Sequence, residues 1–136
     1  MPSRLYFQAT QETPLAGARV SLKDIFDLAG AKTTMMSRSY TEVYDAREQN
    51  ANYVDKLISQ GPIVIGKTKM TQFASSDEPT DQWIDFHCPI NPRGDEYQSP
   101  SGSSSGAAAG LAGYPWIEFA IAGDCRLPHA QLILFP

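Results

Sequence analysis

The sequence predicts an α/β fold, and three observations carry that prediction. A helix–Gly–strand unit runs from Asp45 to Ile65, and further short strands are predicted at residues 18–22 and 118–122. A helix of small residues, Ala107-Ala108-Ala109-Gly110-Leu111-Ala112, precedes the last strand. Strands alternating with helices build a sheet covered by helical layers. The 136 residues suffice for one domain and are too few for two. With 42% hydrophobic and 19% charged residues, the composition is that of a globular chain rather than a disordered one.

Each element has a local reason. Residues 1–14 are polar and without period, which reads as a lead-in. In 18–22, apolar Ala18, Val20 and Leu22 alternate with Arg19 and Ser21, the period of a strand. Gly30 punctuates the chain, and residues 32–36 form an irregular connector. Asp45 is placed to cap a helix, with Glu48 three positions on. Tyr53, Val54, Leu57 and Ile58 give that helix one apolar face, and Gly61 stops it. Ile63-Val64-Ile65 is a buried strand that Gly66 ends, and Thr68 caps a short helix through Met70 and Phe73. Residues 75–100, with Pro79, Pro89, Pro92 and Pro100, form a long loop; loops of that length are functional or disordered. Ser101 to Gly106 then opens the small-residue helix, which must pack closely, and 118–122 alternates only weakly.

Charge and composition exclude several classes of function. The net charge is −4 with no basic block, so a nucleic-acid partner has no electrostatic basis. No apolar run approaches the roughly 20 residues of a membrane span. Residues 1–6 lack the apolar core of a signal peptide, so the expected location is cytoplasmic. His87, Cys88, Cys125 and His129 are too few and too scattered for a structural zinc site, and neither a metal nor a cofactor is expected.

Two segments can carry chemistry. The loop Pro100-Ser101-Gly102-Ser103-Ser104-Ser105-Gly106 offers hydroxyls, a flexible backbone and the N–H groups of a helix N-terminus. Such groups stabilise an anion or an oxyanion; the same composition also makes solvated linkers, although a linker needs no close-packed helix after it. Lys23 directly follows an apolar strand, where sites collect in α/β folds. Buried there a lysine acts as a base, whereas a lone lysine is ordinarily a surface residue.

Taken together, the segments resemble those of amidase-signature enzymes. Gly17-Ala18-Arg19-Val20-Ser21-Leu22-Lys23-Asp24-Ile25-Phe26-Asp27 is similar to that family's Lys segment. Ile65-Gly66-Lys67-Thr68-Lys69-Met70-Thr71-Gln72-Phe73-Ala74 is similar to the strand-turn-helix after it. Asn91-Pro92-Arg93-Gly94 and Gln98-Ser99-Pro100-Ser101-Gly102-Ser103-Ser104-Ser105-Gly106-Ala107 resemble its Gly/Ser signature, in a fungal-type variant. The resemblance implies a mixed sheet with flanking helices, an amide (C–N) hydrolase activity and a Ser–Ser–Lys triad without histidine. It makes Lys23 the neutral base and Ser103 the bridging serine. It also implies a cis peptide before Ser103, eased by Gly102. Ser104 or Ser105 would then support the loop, with Gly106 closing it.

The nucleophile is where the pattern departs. The family runs from an Asp through Thr, two small residues and the attacking Ser to Arg-x-Pro. Here Ile121-Ala122-Gly123-Asp124 is followed at once by Cys125 and Arg126-Leu127-Pro128, and residues 124–136 contain no serine. The expectation is therefore a partial amidase-signature domain over 1–124 and a divergent tail over 125–136. It is an incomplete fold, truncated through an altered frame or splice and inactive as given. Cys125 near the vacated position reads as an incidental cysteine without oxyanion donors, and His129 as a tail residue.

Longer relatives would act on a small-molecule amide. For this chain the alternatives are a non-catalytic interaction or regulatory remnant and, more remotely, a phosphate-binding Gly/Ser loop. An uncovered sheet at 63–65 and 119–121, with the apolar run 132–135, predicts self-association.

Overall fold

The computed structural model describes residues 1–75, 83–100, 102–123 and 131–134, the last as backbone. Its elements are β1 (Arg19–Lys23), α1 (Arg38–Val43), α2 (Asn52–Ile58), β2 (Ile63–Thr68), a 3-10 turn (Gln72–Ala74), α3 (Ser105–Gly113), β3 (Phe119–Gly123) and β4 (Gln131–Leu134). The strands form one sheet in the order β2-β1-β3-β4. β1 is parallel to both neighbours, and β4 runs antiparallel to β3. The sheet is thus mixed, and the strand segments around Val20, Ile63–Ile65 and Phe119–Ile121 share it.

Alternation along the two central strands sorts the core. Val20, Leu22, Phe119 and Ile121 face one way and pack on Val54 and Leu57 of α2. Ala120 and Ala122 face the other way and pack on Ala107 and Leu111 of α3, with Ile117. Small residues on both sides of that second layer let α3 lie close to the sheet. At its N-terminal end α3 also lies against the segment that follows β2: a Cβ on Gly106 would stand 2.5 Å from the backbone N and O of Lys69. Backbone must therefore move to admit any side chain. Gly106→Ala should lower stability by about 1–3 kcal/mol, as overpacking does. A lower urea midpoint with an unchanged slope would be the readout.

Four details differ from the sequence expectation. α2 starts at Asn52 with Ala51 as N-cap and no side-chain cap, rather than at Asp45. Arg47 explains this: its backbone N bonds to Ala31 O (3.0 Å) and its O accepts from Gly30 N (2.9 Å), an extended pairing incompatible with a helix. Gly66 does not end β2 but lies within it, after a register shift in which Val20 faces Val64 and Ser21 faces Gly66. This is a bulge, and Gly66 meets it with φ of +150°, a conformation that favours glycine.

Thr68 caps no helix, because the chain beyond it is tied to the Ser/Gly loop. Gly106 N donates to Lys69 O (2.9 Å) and Thr71 N to Ser103 O (3.0 Å). Phe119 and Ile121 are buried rather than wet, since Val54 and Leu57 of α2 cover their side chains, and β4 pairs with the outer edge of β3. β2 remains half-buried at the opposite edge of the described sheet. Among the described residues, no helix is long and apolar enough to cross a membrane.

Candidate active site

Alternation on β1 sends Arg19, Ser21 and Lys23 to the α3 side of the sheet, opposite Val20 and Leu22. Lys23 closes the strand, and its side chain is fully buried at 1% exposure. Its Nζ donates to Ser103 Oγ at 2.6 Å and to Gly123 O at 3.0 Å. The partners come from three elements: the end of β1, the loop before α3 and the end of β3. Some 80 residues of sequence separate Lys23 from Ser103.

The loop is set by its ties to neighbouring chain. The Gly102–Ser103 peptide is cis. Ser103 O accepts from Thr71 N, which holds the loop against the segment that follows β2. Ser104 is the N-cap of α3, and its Oγ donates to Gly123 O at 3.0 Å. The Gly123 carbonyl therefore receives both Lys23 and Ser104. Ser105 is buried in the first turn of α3, where Gly106 makes the close approach to Lys69. Ser101, Cys125, the Arg126-Leu127-Pro128 element and His129 lie outside the described residues.

A second set of buried polar groups stands beside Lys23, and sequence reasoning had not singled it out. Asp24, 4% exposed, pairs with Lys67 Nζ at 3.5 Å and accepts from Thr34 N (3.1 Å) and Thr34 Oγ1 (2.9 Å). Lys67 also donates to Thr33 Oγ1 (2.8 Å) and Lys32 O (3.1 Å). Thr33 Oγ1 in turn donates to Asp27, which pairs with Arg47 at 2.9 Å. This network fixes the loop after β1 to β2 and so sets where β1 ends. No sequence signal marks it: Asp24 and Lys67 meet only through the register of the sheet, which pairs Leu22 with Lys67 and Lys23 with Thr68.

Burial lowers the Lys67 pKa from the ordinary lysine value, and the charge of Asp24 opposes that shift. A folded pKa below the unfolded one means that the folded chain holds fewer protons in the interval between them. The contribution of Lys67 to stability therefore rises with pH through that interval, up to the ordinary lysine value. The stability gap between the parent chain and Lys67→Met should widen across alkaline pH. Parallel urea titrations of the two would show it.

The Amidase family model matches residues 3–125. A glutamyl-tRNA(Gln) amidotransferase subunit of Sulfolobus acidocaldarius is 38% identical over 113 residues, covering 81% of this chain and 22% of the relative. The structure of the corresponding protein from Thermotoga maritima aligns with a TM-score of 0.70 at 25% identity, covering 88% of this chain and 25% of that one. The peptide amidase of Stenotrophomonas maltophilia aligns with a TM-score of 0.65 at 28% identity, covering 81% and 22%. The chain thus spans about a fifth of the length of the curated relatives it matches.

Proposed function

This chain belongs to the amidase family, and on that premise we propose that residues 1–124 form the base-bearing part of an amide-bond hydrolase site. The single observation that carries the reading is the 2.6 Å contact of a fully buried Lys23 with Ser103 Oγ. In this reading Lys23 is the neutral base and Ser103 the bridging hydroxyl. An attacking hydroxyl placed against Ser103 would give its proton to Ser103 Oγ as the Ser103 proton passes to Lys23 Nζ. Ser104 steadies the loop by holding the Gly123 carbonyl that Lys23 also holds. Gly102 and Gly106 give the loop its freedom of backbone and its close seat. The site takes an amide substrate, and the loop is of the fungal type.

The nucleophile is not among these 136 residues. No serine occurs from Asp124 onward, and beyond Cys125 the sequence departs from the family pattern, although residues 131–134 join the sheet as β4. A missing oxyanion donor alone costs about 10²–10³ in rate, and a missing nucleophile about 10⁶. The 136-residue polypeptide is therefore hydrolytically silent. Purified chain should turn over no simple amide or ester above background, and a fluorophosphonate probe should not label it. Stoichiometric labelling at Ser103, Ser104, Ser105 or Cys125 would refute the reading.

The place of β2 at an edge of the sheet, with no strand beyond it among the described residues, favours a second reading, a non-catalytic module that works by association. An edge strand offers a row of backbone groups to another chain, here a second copy or a longer amidase relative.

A further inference from the structure

Between β2 and α3, on the same face of the sheet as Lys23, lies a cavity of ≈ 870 Å³. Ser21, Ile65, Gly66, Gly110, Trp116 and Ile117 are among the residues that line it. Its size falls within the range of about 300–1,000 Å³ typical of small-molecule sites. Two independent features mark it. The first is space: a Cβ built on Gly110 or on Gly66 would meet nothing of the described residues within 4 Å. The second is Ser21, which is 3% exposed and whose Oγ is buried without a hydrogen-bond partner among the described residues. A buried hydroxyl left unpaired is destabilising, and a ligand that pairs with it removes that cost.

The lining also limits the kind of ligand. Trp116, Ile65 and Ile117 offer aromatic and aliphatic surface. The two lysines at the cavity are engaged elsewhere, Lys67 with Asp24 and Lys69 with the His87 carbonyl. An ionised group carried in to Ser21 would find a single neutral partner there, which is costly. We infer that this cavity binds a small neutral molecule with an aromatic or branched aliphatic body and one hydrogen-bonding end, which Ser21 Oγ receives. Ser21 takes no part in the Lys23–Ser103 contact, so the inference stands apart from the proposed hydrolase site.

Trp116 supplies the readout. The chain has two tryptophans, Trp83 and Trp116, so a Trp83→Phe background leaves Trp116 as the sole reporter. Fluorescence titrations at submicromolar protein would compare benzyl alcohol with toluene, which lacks the polar end. The expected result is saturable binding of benzyl alcohol, about tenfold tighter than toluene, the worth of roughly one hydrogen bond. Ser21→Ala should erase that preference. Gly110→Leu, which fills the void and favours the helix, should abolish binding of both probes. Ser21→Ala removes one atom and no packing, so it keeps the test open should Gly110→Leu disturb α3. No saturable signal, equal affinity for the two probes, or unaltered binding in a folded Gly110→Leu chain would each overturn the inference.

Discussion

Replacing Lys67 with methionine should lower the unfolding free energy by about 3–5 kcal/mol, the cost of leaving a buried charge without its partner. Asp24 is 4% exposed, and Lys67 is the lysine that faces its carboxylate, at 3.5 Å. The two bonds from Thr34 remain in the variant and place the loss toward the lower end. Even so, a domain is stable by only about 5–15 kcal/mol, so the variant would stand near the threshold of unfolding. Adding Asp24→Asn should restore part of the loss, because the amide keeps a hydrogen bond to Thr34 and no charge remains stranded. Urea unfolding of the two single variants and the double variant closes the cycle. A loss below about 1 kcal/mol, the worth of a surface pair, would mean that water reaches Asp24.

The second large effect concerns association. At micromolar concentration the chain should sediment as oligomers rather than as a monomer, and Ile63→Lys should return it toward the monomer. β2 is a terminal strand of the described sheet, and Ile63, Val64 and Ile65 are half-buried on it. Ile90 and Tyr114, which line the cavity beside β2, are exposed. Burying one such side chain is worth about 1.5–3 kcal/mol, so a few of them meeting across an edge suffice for association. A lysine on the edge is the usual natural device against such pairing. A monodisperse parent monomer with a sharp cooperative transition would show instead a self-sufficient small domain.

Much of the fold was legible because it rests on local pattern. The alternation at 18–22 and the apolar face of 53–58 are set by burial: Val20, Leu22, Val54 and Leu57 meet in one core with Ala18 and Tyr53 packed against it, whereas Ile58 is exposed. What was hidden depends on partners distant in sequence. The capping signal at Asp45 gave way to the pairing of Arg47 with Gly30 and Ala31. α1 has no buried residue, so no apolar period marks it; its one local signal is Ser37, which caps it by accepting from Tyr40 N. β4 could not be foreseen, since residues 131–134 become a strand only against β3. At the site, the meeting of Lys23 with the Ser103 loop followed from a family resemblance and not from spacing. The Asp24–Lys67 pair and the Gly123 carbonyl carry no signature, because each acts through its position in the sheet.

The most direct test of the account is native lysine labelling by reductive methylation, read by mass spectrometry. Lys23 is buried against Ser103, held by three elements that must fold together. Exposed Lys56 and Lys69 should be dimethylated rapidly in the native chain, while Lys23 stays unmodified until the chain is unfolded in urea. Dimethylation of Lys23 at the native rate of Lys56 would contradict the account, because a lysine open to reagent cannot be the buried partner of Ser103.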